Sequence, residues 1–404
     1  MNKYSLSALA AAGLLAGSLA TGANAADLGG NCCADLEERI AELEATTARK
    51  GNRKVSLTIS GWVAEQVTYW DDGAENNVYV TGLGTTLGSN VKFTGQATIV
   101  PGWTAGYVLH LEADGSDALT TNQSTPNGVG LFAGTTNYVQ TLQSYWFLKS
   151  DHYGKVSVGL QSMVADNAAI LVDGSGSLVP ANWVAFDVLS FGIRNNAGGF
   201  TGATWGDAGI CIPGDCYGVP VNSVRYDSPT FAGFSASASW GDDDSWDVGI
   251  RYAGELHGFK LAATAVYAEA TGAVSSTFGD SDYFQAGVYA QHIGTGLFLL
   301  VNYGDFEDNL TGDDGDVWYF KAGIRQKWNH LGATVLYGEY MNSEASIGDR
   351  EFEWYGAGVV QEIDAAAMSL WLKYRNYSVD DNGAVCGAGC QDMDEVTFGA
   401  LINF

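Results

Sequence analysis

The chain has 404 residues and a net charge of −27 with only 19 Lys and Arg; nucleic acid, whose phosphates need clustered cations, is excluded as a partner. It carries 12 Trp, 20 Tyr and 17 Phe, 53 Gly and only 6 Pro, and beyond its first residues no apolar run is long enough for a spanning helix. That combination leaves a secreted β protein or an outer-membrane β-barrel.

Residues 1–25 read as a signal peptide. Lys3 supplies the positive start, Leu6 to Leu19 is a short apolar run, and Ala23-Asn24-Ala25 has the small-x-small form that a signal peptidase cuts. Gly30-Asn31 before Cys32 fits a lipoprotein box poorly, so the exported chain is expected to start at Ala26. In an exported chain six cysteines point to disulfides rather than zinc. Cys211 and Cys216 bracket a Pro-Gly turn and Cys386 and Cys390 bracket GAG, so each pair could close a small loop, whereas the adjacent Cys32 and Cys33 could link subunits or stay free.

Residues 26–54 form a short periplasmic segment in this reading. From Asp35 to Lys50, Leu36, Ile40, Leu43 and Thr47 make an a/d stripe with acids ahead of bases, which predicts a helix able to form a short coiled coil or to pack alone. Arg49, Lys50, Arg53 and Lys54 follow as a basic knot.

From Val55 the period changes to two. Val55, Leu57, Ile59, Gly61 and Val63 share one face and Ser56, Thr58, Ser60 and Trp62 the other, and the alternation recurs to the end of the chain. Short turns near Pro101, Asp151, Ala232, His257, Gly294, His330 and Asp364 alternate with loops near 71–88, 114–137, 161–221, 241–245, 270–282, 305–316, 341–351 and 379–394. This predicts an all-β fold over 55–404: a transmembrane antiparallel barrel of sixteen strands, closed so that no unpaired edge meets lipid. Trp183 to Ile193 reads as a possible further strand, which in the wall would raise the number to eighteen. Trp103 and Trp328 beside short turns, and Trp70, Trp240, Trp246 and Trp318 near loops, suit two aromatic girdles. The last strand sets Phe398, Ala400, Ile402 and Phe404 on one face and ends on an aromatic residue.

Residues 161–221 interrupt this rhythm. A structureless stretch of that length counts against a compact domain unless it is a functional loop, and its apolar run from Ala168 to Val179 needs cover. Folding into the bore against the inner wall supplies it; covering a neighbouring subunit is the alternative.

Cys33 to Trp62 resembles the amino-terminal signature of the alphaproteobacterial porin family, and Gly154 to Ser162, GKVSVGLQS, is similar to the strand leading into that family's inward-folded third loop. The last strand resembles those recognised by the outer-membrane assembly machinery, through Phe404 here. The resemblance implies a homotrimeric, sixteen-stranded diffusion channel, surrounded by lipid and lipopolysaccharide, that passes small hydrophilic solutes and ions.

Selectivity in such a channel follows bore width and lining charge. The alternation turns Lys92, Arg225, Arg251, Lys321, Arg325, Lys327, Lys373 and Arg375 inward, and the long loop offers Asp166, Asp173, Asp187, Asp207 and Asp215 against Arg194. Opposed across water these charges would set a transverse field; paired with inward acids such as Glu112 and Asp247 they would brace the wall. Net charge suggests cation preference, the wall ladder anion preference. Trp62 and Trp371, both on polar faces, would instead suit a sugar-selective channel, and a plugged adhesin barrel is the structural alternative. His110 beside Glu112 reads as a bore-lining hydrogen bond. No zinc spacing, phosphate-binding glycine loop or nucleophile elbow appears, so neither cofactor nor metal nor catalysis is expected.

Overall fold

The computed structural model describes residues 54–404 apart from 85, 114–116, 127–138, 184–186, 208–218, 242–243, 272–279, 346–349, 382, 384 and 388. The leader, the expected helix and the Cys211 and Cys216 clip lie outside the described residues.

Sixteen antiparallel strands form one closed barrel. They are β1 (Thr58–Asp71), β2 in two pieces (Asn76–Thr81 and Ser89–Val100), β3 (Trp103–Ala113), β4 (Val139–Ser150), β5 (Gly154–Gln161), β6 (Val221–Asp227), β7 (Phe234–Gly241) and β8 (Trp246–Leu256). They continue as β9 (Phe259–Ala270), β10 (Ser281–His292), β11 (Leu297–Asp308), β12 (Asp314–Gln326), β13 (Thr334–Ala345), β14 (Arg350–Ile363), β15 (Met368–Asp380) and β16 (Met393–Asn403). Each pairs with its neighbours in sequence, and β16 closes on β1 from Trp62 opposite Asn403 to Asp71 opposite Asp394. The two pieces of β2 face different lengths of β1. Backbone bonds of 3.0 and 3.1 Å tie Gly61 to Phe404 at the seam.

Side-chain parity explains the wall. In β12, Trp318 and Phe320 are 42 % and 39 % exposed while Val317, Tyr319 and Lys321 are buried. In β16, Phe398, Ile402 and Phe404 are exposed and Thr397 and Leu401 buried. One face of a closed wall is thus apolar and open to lipid, the other polar and inner. Aromatic pairs sit near both ends, Trp103 with Tyr153 at 6.1 Å beside short turns and Tyr303 with Trp318 at 4.7 Å beside a loop. Trp70 departs from the expected girdle. It is buried against Tyr79 and Phe191 at 5.5 and 5.3 Å, because it shares parity with Trp62 and Ala64 and so points inward.

The described residues of the possible strand from Trp183 to Ile193 do not enter the wall. Val179–Trp183 is one wide helical turn, and Gly192–Arg194 pairs with Phe200–Thr204 in a separate small hairpin. β5 and β6, on either side of this excursion, pair directly from Lys155 opposite Asp227 to Gln161 opposite Val221.

Candidate functional site

The described part of the long loop is bonded to the inner face of the wall along much of its length. At its start Arg225 donates to the carbonyls of Ser162 and Met163, both at 3.0 Å, and Arg251 to that of Val164 at 3.1 Å. Ser239 Oγ and Asp247 accept the N–H groups of Val164 and Ala165 at 3.1 and 2.7 Å. Gln285 Oε1 on β10 takes the N–H of Ala169 at 2.8 Å. Val164, Ala165, Ala168, Ala169, Ile170 and Val172 are all buried in this contact; the apolar run is covered within one chain.

Beyond Ile170 the contact becomes ionic. Lys321 of β12 pairs with Asp173, both side chains 0 % exposed, and gives a second bond to Asn182 Oδ1 at 2.8 Å. Arg325 donates to the Ser175 carbonyl at 3.1 Å and pairs with Glu362. On β15, Lys373 meets Asp187 at 2.7 Å and Glu395 at 3.5 Å. Arg375 meets Glu339 at 2.7 Å, reaches the Ala181 carbonyl, and lies 4.8 Å over the Trp354 ring. The hydroxyls of Tyr319 and Tyr377 donate to Glu339 and Glu395 at 2.7 and 2.8 Å. Farther along, Arg194 pairs with Asp72 at 2.7 Å and Glu75 at 3.1 Å. Burial raises the Asp72 carboxyl, and Arg194 with the N–H groups of Glu75 and Ala74 more than offsets it, leaving Asp72 below the usual range.

These contacts correct the expected picture of two charged walls facing each other across water. Lys321, Lys373 and Arg375, and Asp166, Asp173 and Asp187, are buried. A charge removed from water is costly unless paired and hydrogen-bonded, so the opposite charges have closed on each other. Burial pushes the Asp166 carboxyl up to about 6, while Ser162, Asn167 and Arg225 pull it down. Lys327 lies not in the bore but on a short turn, exposed and bound to Asp364 at 2.9 Å. Arg225, Arg251 and Arg325 remain partly open while holding loop carbonyls, and Lys92 is half-buried opposite His110. Asp207 caps its own turn by accepting from Thr204 at 2.8 Å, and Asp215 lies outside the described residues.

Two smaller expectations also change, and a third, the Cys386 and Cys390 clip, is met. Glu112 does not bond His110; it accepts the N–H groups of Thr86 and Gly88 and the Gln140 amide at 3.1, 2.7 and 2.9 Å. Trp62 and Trp371 are buried rather than offered as rungs, Trp371 lying where a side chain on Gly399 would be. Cys386 and Cys390 form a disulfide, and neighbouring Asp381 accepts the N–H groups of Gly383, Val385 and Cys386. That carboxylate is spent on loop closure, since burial raises it and those N–H groups bring it below the usual range.

Gly249 and Gly287 escaped sequence reasoning. Both occupy inward positions: a Cβ on Gly287 would stand 2.6 Å from the Ala169 carbonyl, and one on Gly249 2.9 Å from the Val164 side chain. Glycine inside a strand marks such a close approach, and that signal was available.

A closed sixteen-strand barrel with an apolar outer face, a charged inner face and a long loop bonded to that inner face is an outer-membrane channel. The family model described as Gram-negative porin matches residues 6–382, and the chain belongs to that family. Among solved structures it is similar to the anion-selective porin from Comamonas acidovorans, at 15 % identity over 87 % of this chain and 100 % of the other, TM-score 0.59. It is also similar to OmpT of Vibrio cholerae in its trimer form (12 %, 87 % and 99 %, TM-score 0.54) and to Salmonella typhi OmpF in complex with daunomycin (14 %, 88 % and 99 %, TM-score 0.53). No curated protein sequence gives a significant match. The protein is a passive diffusion channel of the bacterial outer membrane, and its family and fold are those of a channel rather than an enzyme.

Proposed function

We propose that residues 161–221 form the constriction of a homotrimeric general porin of the alphaproteobacterial branch, admitting small hydrophilic solutes and ions without energy coupling. The observation that carries the constriction is the pairing of Lys321 with Asp173 and of Lys373 with Asp187 at nearly zero exposure, which fastens the loop to β12 and β15. Loop and wall neutralise each other there, so lining charge falls to the partly open Lys92 and Arg251, with Arg225 and Arg325 balanced in part by Asp227 and Glu362, and the excess cations favour anions. Remote acidic loops are screened within about 10 Å in 0.1 M salt. The branch assignment rests on Cys33 to Trp62 and Gly154 to Ser162, the trimer on that resemblance and on the trimer form of one similar structure. Exposed Phe404 is the contact offered to the assembly machinery, and the apolar outer face, with acidic outer loops, meets lipid and lipopolysaccharide.

The deciding measurement is the reversal potential of the purified channel in a planar bilayer under a salt gradient. Arg325→Ala should shift it toward cations, and Asp187→Ala toward anions with a change of conductance as the loop loosens. A protein that conducts nothing would refute the channel reading; two variants indistinguishable from wild type would refute the constriction. Migration as a monomer after mild extraction and chemical cross-linking would refute the trimer.

A further inference from the structure

Among the described inner-wall cations that are withdrawn from solvent one stands apart; Lys149 and Lys260 share the inward parity but lie exposed. Arg225, Arg251, Lys321, Arg325, Lys373 and Arg375 each bond an acid or a loop carbonyl. Lys92 on β2 has no such bond; it is half-buried and directly opposite His110 of β3. His110 is 3 % exposed, and neither ring nitrogen has a hydrogen-bond partner. The Trp62 ring stands edge-on to it at 6.4 Å, and at 5.9 Å on from Trp62 lies the half-buried Trp183 of the long loop, whose indole N–H is likewise unpartnered. Asn90, opposite Trp62, keeps an unpartnered Oδ1.

From this juxtaposition we propose that Lys92 and the Trp183 indole, backed by buried His110 and Trp62, form a binding subsite for flat organic carboxylates, those of an aromatic or comparably planar ring. The inference rests on reading the interior as a water-filled path. A half-withdrawn ammonium with no counter-charge is satisfied by a transient anion. The unmet groups are mostly donors: the ammonium, the Trp183 N–H and one imidazole N–H, against one imidazole nitrogen and the Asn90 oxygen. The complement is therefore an acceptor-rich anion rather than an amine. The half-buried Trp183 indole gives its ring an apolar contact, with Trp62 buried behind it at 5.9 Å. Because Trp183 belongs to the loop and Lys92 to the wall, an occupant bridges the two and obstructs the path while it stays.

The test uses the full channel in planar bilayers with sodium benzoate as probe, and acetate and benzylammonium as controls. Benzoate should reduce conductance saturably, whereas acetate, lacking the ring, and benzylammonium, lacking the negative charge, should not. Lys92→Gln should weaken the block about tenfold or more, as loss of a charge-assisted bond predicts, and Trp183→Ala several-fold. Lys92→Arg should keep most of it and serves if the Gln variant fails to fold. Calorimetric titration of benzoate into the detergent-solubilised protein reads the same site without conduction. A channel that conducts but is not blocked, a block equal in wild type and Lys92→Gln, or equal block by acetate would overturn the subsite. A protein that binds benzoate through Lys92 yet conducts nothing would overturn the channel reading alone.

Discussion

Replacing Lys321 with Ala should loosen the long loop far more than it changes the barrel. Lys321 and Asp173 are both 0 % exposed, and the ammonium also holds Asn182 Oδ1 at 2.8 Å. Removing one member of such a pair leaves the other charge buried and unmatched, at about 3–5 kcal/mol. A change of that size raises the population of a detached loop by about 10²–10⁴-fold, enough to expose a locally opening segment that the barrel's own stability would not reveal. The remaining ties, Gln285 to Ala169, Arg325 to Ser175 and Arg375 to Ala181, would hold the loop less firmly. Single-channel recording should show larger and noisier openings, with faster proteolytic cleavage between 170 and 207 and unchanged β content. Asp173 also accepts the Ser175 N–H at 2.9 Å, so Asp173→Asn keeps that bond. The double variant Lys321→Met with Asp173→Asn should accordingly recover most of the quiet conductance, because removing both charges removes the mismatch. Salt separates the two accounts of Lys321: a lost lining charge fades as salt rises, while a broken buried contact persists in 1 M salt, where the screening length is about 3 Å. A single variant as quiet as wild type, or a double variant as noisy as the single, would refute the clamp.

Gly287→Val should act through shape alone, driving side-chain atoms into the Ala169 carbonyl that already stands 2.6 Å from a Cβ there; conductance noise like that of Lys321→Ala is expected, and normal recordings would show that the loop does not depend on this approach. Asp72 lies below the usual carboxylate range when folded, so its bond to Arg194 contributes fully above about pH 4 and is lost as pH falls through the depressed value. Indole emission, to which buried Trp70 beside Phe191 contributes, should change at that low pH in wild type and be already altered at neutral pH in Asp72→Asn; an acid transition unmoved by the substitution would refute the latch. Replacing Cys386 and Cys390 with Ser opens only a small closed loop, with a loss of at most about 2 kcal/mol by chain entropy; thermal melting should fall slightly and reversal potential stay unchanged, and a large fall would mean that the clip braces the wall. Deleting Phe404 removes the backbone bonds to Gly61 at the seam, and surface yield in cells should drop more than refolding yield in detergent if assembly reads this residue.

How much of this was legible in the sequence depends on the range of the interaction. Strand parity is local, so the alternation from Trp318 to Phe320 outward and Lys321 inward could be read without any partner. Trp70 was legible by the same parity, and its position beside a loop misled. The separation between charges was not legible, because Lys321 and Asp173 are 148 positions apart and whether they meet or face water depends on how far the loop backbone descends. That depth is set at Gly249 and Gly287, where missing side chains let Val164 and Ala169 reach the wall. The ionic pairs then fix which stretch of loop lies on which strand. Val164, Ala165, Ala168, Ala169 and Ile170 are too alike to fix a register by themselves, and a slip would leave Asp173 or Asp187 buried without its lysine. Apolar burial and glycine gaps supply the attraction, buried charges the address. Lys92 is the withdrawn wall cation this scheme leaves without a partner, and the half-buried Trp183 is the loop residue linked to it, through Trp62 and His110, that such a channel can spare for what passes through.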